Sequence, residues 1–262
     1  MLFDVVLPLA IGLAASSLVM AALWFVQRRT GNAGIVDVAW AGLVGLLGLF
    51  FAAWPAGILW LRMLAGAMIA GWSLRLTIYL FRRVVGHPEE GRYAELRRRW
   101  GDQAERKLFS FFQIQALAAW LFATPNMAIA RSATPPREWC VAFAVVLWFM
   151  GVGGVSLADW QLARFKRRPE AKSRTCREGL WRYSRHPNYF FEWLHWNSYI
   201  LLATTSSFWW APVLVACGLL YLLLFVTGIK PTEAQAIASR GDDYRDYQRT
   251  TSPFFPWPPR TK

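Results

Sequence analysis

Long apolar runs separated by short clusters of charge dominate this chain. Seven stretches, at about 7–26, 35–54, 58–81, 108–130, 139–163, 188–210 and 212–229, stay mostly apolar for close to the length a spanning helix needs. That length is roughly 20 residues, because the hydrocarbon core of a bilayer is about 30 Å thick. Backbone N–H and C=O groups cannot go unpaired in lipid, so such runs predict helices. No alternation of period two suggests a membrane barrel. The first run lacks a basic leader and an obvious cleavage site, so it reads as a retained span and not a signal peptide. The expected fold class is an all-α integral membrane protein with seven transmembrane helices.

Charge in the connecting segments adds an orientation. Of 29 Lys and Arg, 25 fall in four alternate connectors, at 27–34, 82–107, 164–187 and 230–262. The connectors on the other side hold only Arg131 and Arg137, while Arg62 and Arg75 lie inside the third run. The positive-inside rule then places the amino terminus outside and the carboxyl terminus in the cytoplasm. The formal net charge of +13 is thus a membrane-orienting feature, and no nucleic-acid partner is expected. Composition agrees: 55% of residues are hydrophobic and 17% charged, against about a quarter charged in ordinary soluble domains.

Metal chemistry is not expected. Cys140, Cys176 and Cys217 show no CxxC spacing. Three histidines, His87, His186 and His195, are too few for a His-rich iron site. Gly151-Val-Gly-Gly154 lies inside a span with no strand before it, so it reads as close helix packing and not as a nucleotide-binding turn. The chain shows no internal repeat and reads as one membrane domain over 1–262, with two large basic loops and a tail.

Ionisable residues inside spans are costly and usually face a cavity or a partner. Asp37 opens the second span, Arg75 comes late in the third, Asp159 late in the fifth and Glu192 early in the sixth. All four fall on the half expected to be cytoplasmic, which predicts a polar cavity opening on that side. Asn188, Glu192, His195 and Tyr199 recur at helical spacing on one face, as do Trp72, Arg75 and Tyr79. Asp159 and Lys166 line one face at the end of the fifth span. Plainer roles stand beside each of these: a cap for Asp37, snorkelling for Arg75, a stabilising ion pair for Glu192 and packing for His195. Arginines of the basic loops, Arg92 among them, suit either anionic lipid or a phosphate.

Three blocks carry a family resemblance: "DWQLARFKRRP" (159–169), "GLWRYSRHPNYFFEWLHW" (179–196) and "DDYRDYQRTTSPFFPW" (242–257). In order and spacing they resemble the carboxyl-terminal domain of the steroid 5α-reductase superfamily, especially its bacterial membrane branch. "GIVDVAWAGL" and the "GRY" of the basic loop resemble the same branch less specifically. The resemblance implies a bacterial inner-membrane enzyme that reduces the C=C bond of a lipophilic α,β-unsaturated ketone, such as a 3-oxo-4-ene steroid, with NADPH. It implies a substrate side over 1–130, a cofactor side over 139–262, an active site facing the cytoplasm, and a substrate arriving from the bilayer. Membrane lipid is the other expected partner, and no obligate protein partner is expected.

Carried over by position, Asp159, Lys166, Tyr183, Asn188 and Glu192 match the superfamily's cofactor-binding positions, with Arg92, Lys230 and Tyr247 as additions. Arg182 and Arg185 would stand near the cofactor phosphates. The family polarises the substrate ketone with a carboxyl and a tyrosine from the first half. Here no Gln-Glu pair is present, Asp37 is the nearest carboxyl, Trp72 stands where the tyrosine is expected, Tyr79 follows two turns later, and Arg75 would orient Asp37. The same Arg-His-Pro-Asn-Tyr core is similar to a stretch of membrane isoprenylcysteine methyltransferases. An S-adenosylmethionine-dependent methyltransferase is therefore the alternative. The cation-rich "DWQLARFKRR" counts against it, because that cofactor has no phosphates.

Overall fold

A computed structural model describes residues 2–54, 57–89 and 91–260. Among the described residues ten α-helices follow one another: α1 (Leu2–Thr30), α2 (Ile35–Ala53), α3 (Leu59–Val84), α4 (Gly91–Trp100), α5 (Ala104–Ala130), α6 (Glu138–Lys166), α7 (Pro187–Leu202), α8 (Trp210–Tyr221), α9 (Ile229–Arg240) and α10 (Asp242–Thr250). The described residues form no strand, only one isolated bridge between Ser184 and Ser252. Among the described residues, six helical segments are long and apolar enough to cross a membrane, which marks an integral membrane protein.

The expected seventh span is the difference. The apolar run at 188–210 yields only the 16 residues of α7. At 1.5 Å per residue that is about 24 Å, short of a hydrocarbon core. Local hydroxyl bonds explain the stop. Thr204 Oγ1 donates to the Leu201 carbonyl at 3.1 Å, and Ser206 Oγ accepts from the Phe208 N–H at 3.1 Å. Such bonds compete with the helix ladder. The next apolar run is also interrupted. A π-helical turn at Leu222–Val226 separates α8 from α9. Pro231 has no N–H to donate one turn back to the Thr227 carbonyl, so the chain restarts as α9 with the proline in its first turn.

The chain divides into two compact units, Met1–Pro135 with Thr205–Ala211, and Pro136–Thr204 with Pro212–Lys262. In the first unit α1 and α5 run antiparallel, joined by side-chain rungs. Trp120 Nε1 donates to the Leu9 carbonyl (2.8 Å), Ser17 Oγ to Gln113 Oε1 (2.6 Å) and Trp24 Nε1 to the Glu105 carbonyl (3.1 Å). Leu47 and Phe51 of α2 bury against Ala123 and Met127 of α5. Gly45 lets Ser73 of α3 close on α2, where Ser73 Oγ donates to the Ala41 carbonyl at 2.7 Å. In the second unit, α6 and α7 pack through Gly151 and Gly154. A Cβ at Gly151 would lie 2.5 Å from His195 Cβ, and one at Gly154 would enter the Phe191 ring.

Candidate functional site

The second unit builds its polar site on the segment that leads into α7. Gly179 sits at φ +57° with the Gln161 side chain where a Cβ would be, so this turn requires glycine. Gln161 Oε1 then accepts the Leu180 N–H at 2.9 Å, and Trp181 Nε1 donates to the Ala158 carbonyl at 2.9 Å. These bonds fold the segment back onto the end of α6. The tail lies along it from the other side. Arg185 N–H donates to the Ser252 carbonyl (2.8 Å), Trp257 N–H to the Tyr183 carbonyl (2.9 Å) and Ser184 Oγ to the Phe254 carbonyl (2.8 Å). Pro187 opens α7 at a position whose N–H would have no helical partner.

Glu233 of α9 is the hub of this construction. It accepts from Arg185 Nε at 2.6 Å, Gln248 Nε2 at 2.7 Å and the Tyr244 hydroxyl at 3.3 Å, and it lies 3.3 Å from His186 Nε2. The pair is nearly buried, with side-chain exposures of 10% for Arg185 and 13% for Glu233. Arg185 Nη1 also donates to the Gln248 and Thr251 carbonyls. His186 stacks on Tyr189, whose hydroxyl meets Thr232 Oγ1 at 3.1 Å. Tyr247, fully buried, donates to the Trp181 carbonyl and lies 3.1 Å from that of Ser184. Burial pushes its hydroxyl above the ordinary tyrosine range, and burial does the same to Tyr244.

Along α7, Asn188 Oδ1 accepts the Tyr189 N–H at 3.1 Å. One turn on, Glu192 Oε1 accepts Trp196 Nε1 at 3.4 Å and stands 3.9 Å from His195 Nδ1. The Glu192 side chain keeps 19% exposure. His195 Nδ1 lies 2.6 Å from the Glu192 carbonyl, which places the proton on Nδ1. The rings of His195, Trp196 and Tyr199 lie 5.0–6.3 Å apart, so the carboxylate sits beside an aromatic cluster. Asp159 is half-buried on α6, next to the Ala158 carbonyl that takes Trp181. Lys166, Arg182, Tyr183 and Lys230 are exposed, Lys230 over the Phe225 ring.

In the first unit the Tyr93 hydroxyl donates to Asp37 Oδ1 at 2.8 Å. Tyr93 is fully buried, and Arg92 lies over its ring and that of Phe111. Trp72 is buried edge-on to Trp40, Arg75 is half-buried and Tyr79 is 40% exposed, so this face of α3 passes from core to surface. A second network ties the basic loop to the bundle. Arg97 bonds Glu89 (3.0 Å), Glu105 (2.6 Å) and Gln27 Oε1 (2.5 Å), while Glu89 Oε1 accepts the Ala33 N–H.

Tyr93 and Glu233 are the two residues that sequence reasoning missed. The "GRY" triplet was a signal for Tyr93, but Asp37 is 56 positions away. Glu233 lies in a stretch with no apolar contrast, 48 positions from Arg185. The structure also alters the argument about cations. Arg168 makes a bidentate pair with Glu178 (2.5 and 2.8 Å), Arg177 pairs with Asp243 (3.1 Å) and Arg185 with Glu233. Arg168 holds the Glu178 carboxyl below its usual range. These three arginines are thus matched by carboxylates and do not by themselves call for a phosphate-bearing cofactor.

A family model described as "Protein of unknown function (DUF1295)" matches residues 23–251. The chain belongs to that family. The family is related to steroid 5α-reductase-like membrane proteins. Among curated proteins the chain is similar to methanethiol S-methyltransferase of Mycobacterium tuberculosis, 32% identical over 85 residues, which cover 31% of this chain and 30% of the relative. The match thus spans less than a third of that protein's length. No solved structure matches the chain. The relative is an enzyme, but a methyltransferase, and this overturns the expected NADPH-dependent reduction of an enone. The oxidoreductase class and the steroid substrate have no support in these similarities.

Proposed function

We propose that this protein is a membrane methyltransferase that uses S-adenosylmethionine to methylate a thiol. The similarity to a thiol methyltransferase carries the reading, and the chemistry of the α7 face supports it. S-adenosylmethionine bears a sulfonium and an ammonium against one carboxylate. It therefore suits a carboxylate set among aromatic faces, which attract cations through the ring quadrupole. Glu192 beside Trp196 and Tyr199 offers that environment.

In this reading Glu192 holds the ammonium or the ribose hydroxyls of the methyl donor, and Asn188 one turn away adds an amide. The bound donor supplies an electrophilic methyl group, and its transfer to an acceptor thiolate breaks the sulfonium S–CH₃ bond and leaves that electron pair on the donor sulfur. His195 keeps the α7 face rigid through its Nδ1–H bond to the Glu192 carbonyl. The aromatic surroundings exclude water, which favours a direct displacement. The Glu233 hub holds the Arg185–Tyr189 segment, and so the start of α7, in register. The basic connectors support a cytoplasmic donor entrance, with the amino terminus outside and the thiol arriving from the bilayer.

Binding of S-adenosylmethionine to detergent-purified protein, by calorimetry, tests the assignment. Glu192→Gln is expected to weaken it about tenfold or more, since a hydrogen bond to a charged group contributes about 1.5–3 kcal/mol. Unchanged affinity in Glu192→Gln would remove Glu192 from the site.

A further inference from the structure

The groove where the end of α1 meets the start of α5 has a use that methyl transfer does not supply. It is open, holds about 440 Å³ and is lined by Trp24, Arg28, Glu105, Arg106 and Phe109. Trp24 and Phe109 meet edge to face at 5.2 Å, and Arg28 lies over the Trp24 ring at 5.0 Å. Trp24 is fixed by its Nε1–H bond to the Glu105 carbonyl. It stands six residues before the end of α1, about 9 Å along the axis, the depth at which tryptophans anchor in the headgroup region. The groove is therefore apolar and aromatic towards the span and cationic towards the helix ends.

Its charge is only partly cancelled from within, because Arg28 and Arg106 face a single carboxylate, Glu105. Glu105 is bridged by Arg97 at 2.6 Å, accepts Gln27 Nε2 at 2.9 Å and pairs more loosely with Arg28 Nε at 3.8 Å. Arg28 keeps 51% side-chain exposure. Guanidinium groups bind phosphate oxygens bidentately, and basic pockets between spanning helices accept anionic headgroups. We propose that the Trp24–Arg28–Arg106–Phe109 groove is a binding site for one anionic phospholipid. Arg28 and Arg106 hold its phosphate, and an acyl chain lies along Trp24 and Phe109. The site is independent of the methyl-transfer reading.

Native mass spectrometry and thermal shift in neutral detergent test it, with phosphatidylglycerol, phosphatidylcholine and inorganic phosphate as probes. Phosphatidylglycerol is expected to form a single retained adduct and to raise the unfolding temperature, with phosphatidylcholine and inorganic phosphate giving neither. R28Q/R106Q should weaken the adduct about tenfold or more, at about 1 kcal/mol per basic residue near a charged surface. R98Q/R99Q removes two exposed charges from α4 and should change it less than about twofold. Equal losses in the two variants would show general attraction to a basic face and overturn the site. Equal binding of phosphatidylcholine, or an undiminished adduct in R28Q/R106Q, would overturn it as well. Circular dichroism of both variants shows whether either loses its helices, and Arg106→Gln alone repeats the comparison if the double variant does.

Discussion

Glu233 is the polar hub of the segment that leads into α7. Its carboxylate meets Arg185, His186, Gln248 and Tyr244, and the Arg185 pair is nearly buried. Removing one partner of a buried pair strands the other, at about 3–5 kcal/mol. Glu233→Gln should therefore lower the unfolding temperature sharply, by circular dichroism, far more than Glu95→Gln on the exposed face of α4. Tyr247 holds the same segment by its hydroxyl, and Tyr247→Phe should cost about 1–3 kcal/mol because the buried Trp181 carbonyl loses its donor.

The raised Tyr247 ionisation also sets a pH dependence. A group whose folded pKa exceeds its unfolded value, about 10 for tyrosine, contributes stability that is complete below the unfolded value and is lost above it. Stability of the natural protein should hold up to about pH 10 and fall beyond, and Tyr247→Phe should fall less. Chemical denaturation across an alkaline series checks this, and an identical decline in both would contradict it.

The elements were legible to different degrees, for physical reasons. Apolar length alone marked the helices that became α1, α2, α3, α5 and α6. It overstated the run at 188–210, because the Ala203-Thr-Thr-Ser-Ser207 segment is still short on charge while its hydroxyls bond the local backbone. Nor did it reveal the π turn, which interrupts an otherwise continuous apolar run. The glycines of α6 were read as packing residues, and the structure lets that be divided by position. Gly151 and Gly154 touch α7, whereas Gly153 has open space around it. Gly151→Ala should cost about 1–3 kcal/mol by overpacking, and Gly153→Ala should be neutral or slightly stabilising through helix propensity. Denaturation of the two variants side by side measures the difference.

At the scale of the whole molecule, the sequence showed a basic-faced membrane protein and the residue face on α7, but not the balance of charges around it. Arg185 and Arg168 of the cation-rich block look like phosphate ligands in a linear chain because their partners Glu233 and Glu178 lie 48 and 10 positions away. Once paired, they no longer argue for a phosphate-bearing donor. The resemblance to reductases held at the level of the wider family and misled for the reaction, because in this chain the block it rests on builds the entry to α7, which fixes a scaffold and not a chemistry.

The most direct test is methyl transfer by the purified protein in lipid nanodiscs, with methyl-labelled S-adenosylmethionine and a short alkanethiol. The account predicts a labelled thioether formed in step with S-adenosylhomocysteine, and loss of both in Glu192→Gln. No label transfer, together with NADPH oxidation when an enone is added, would contradict it.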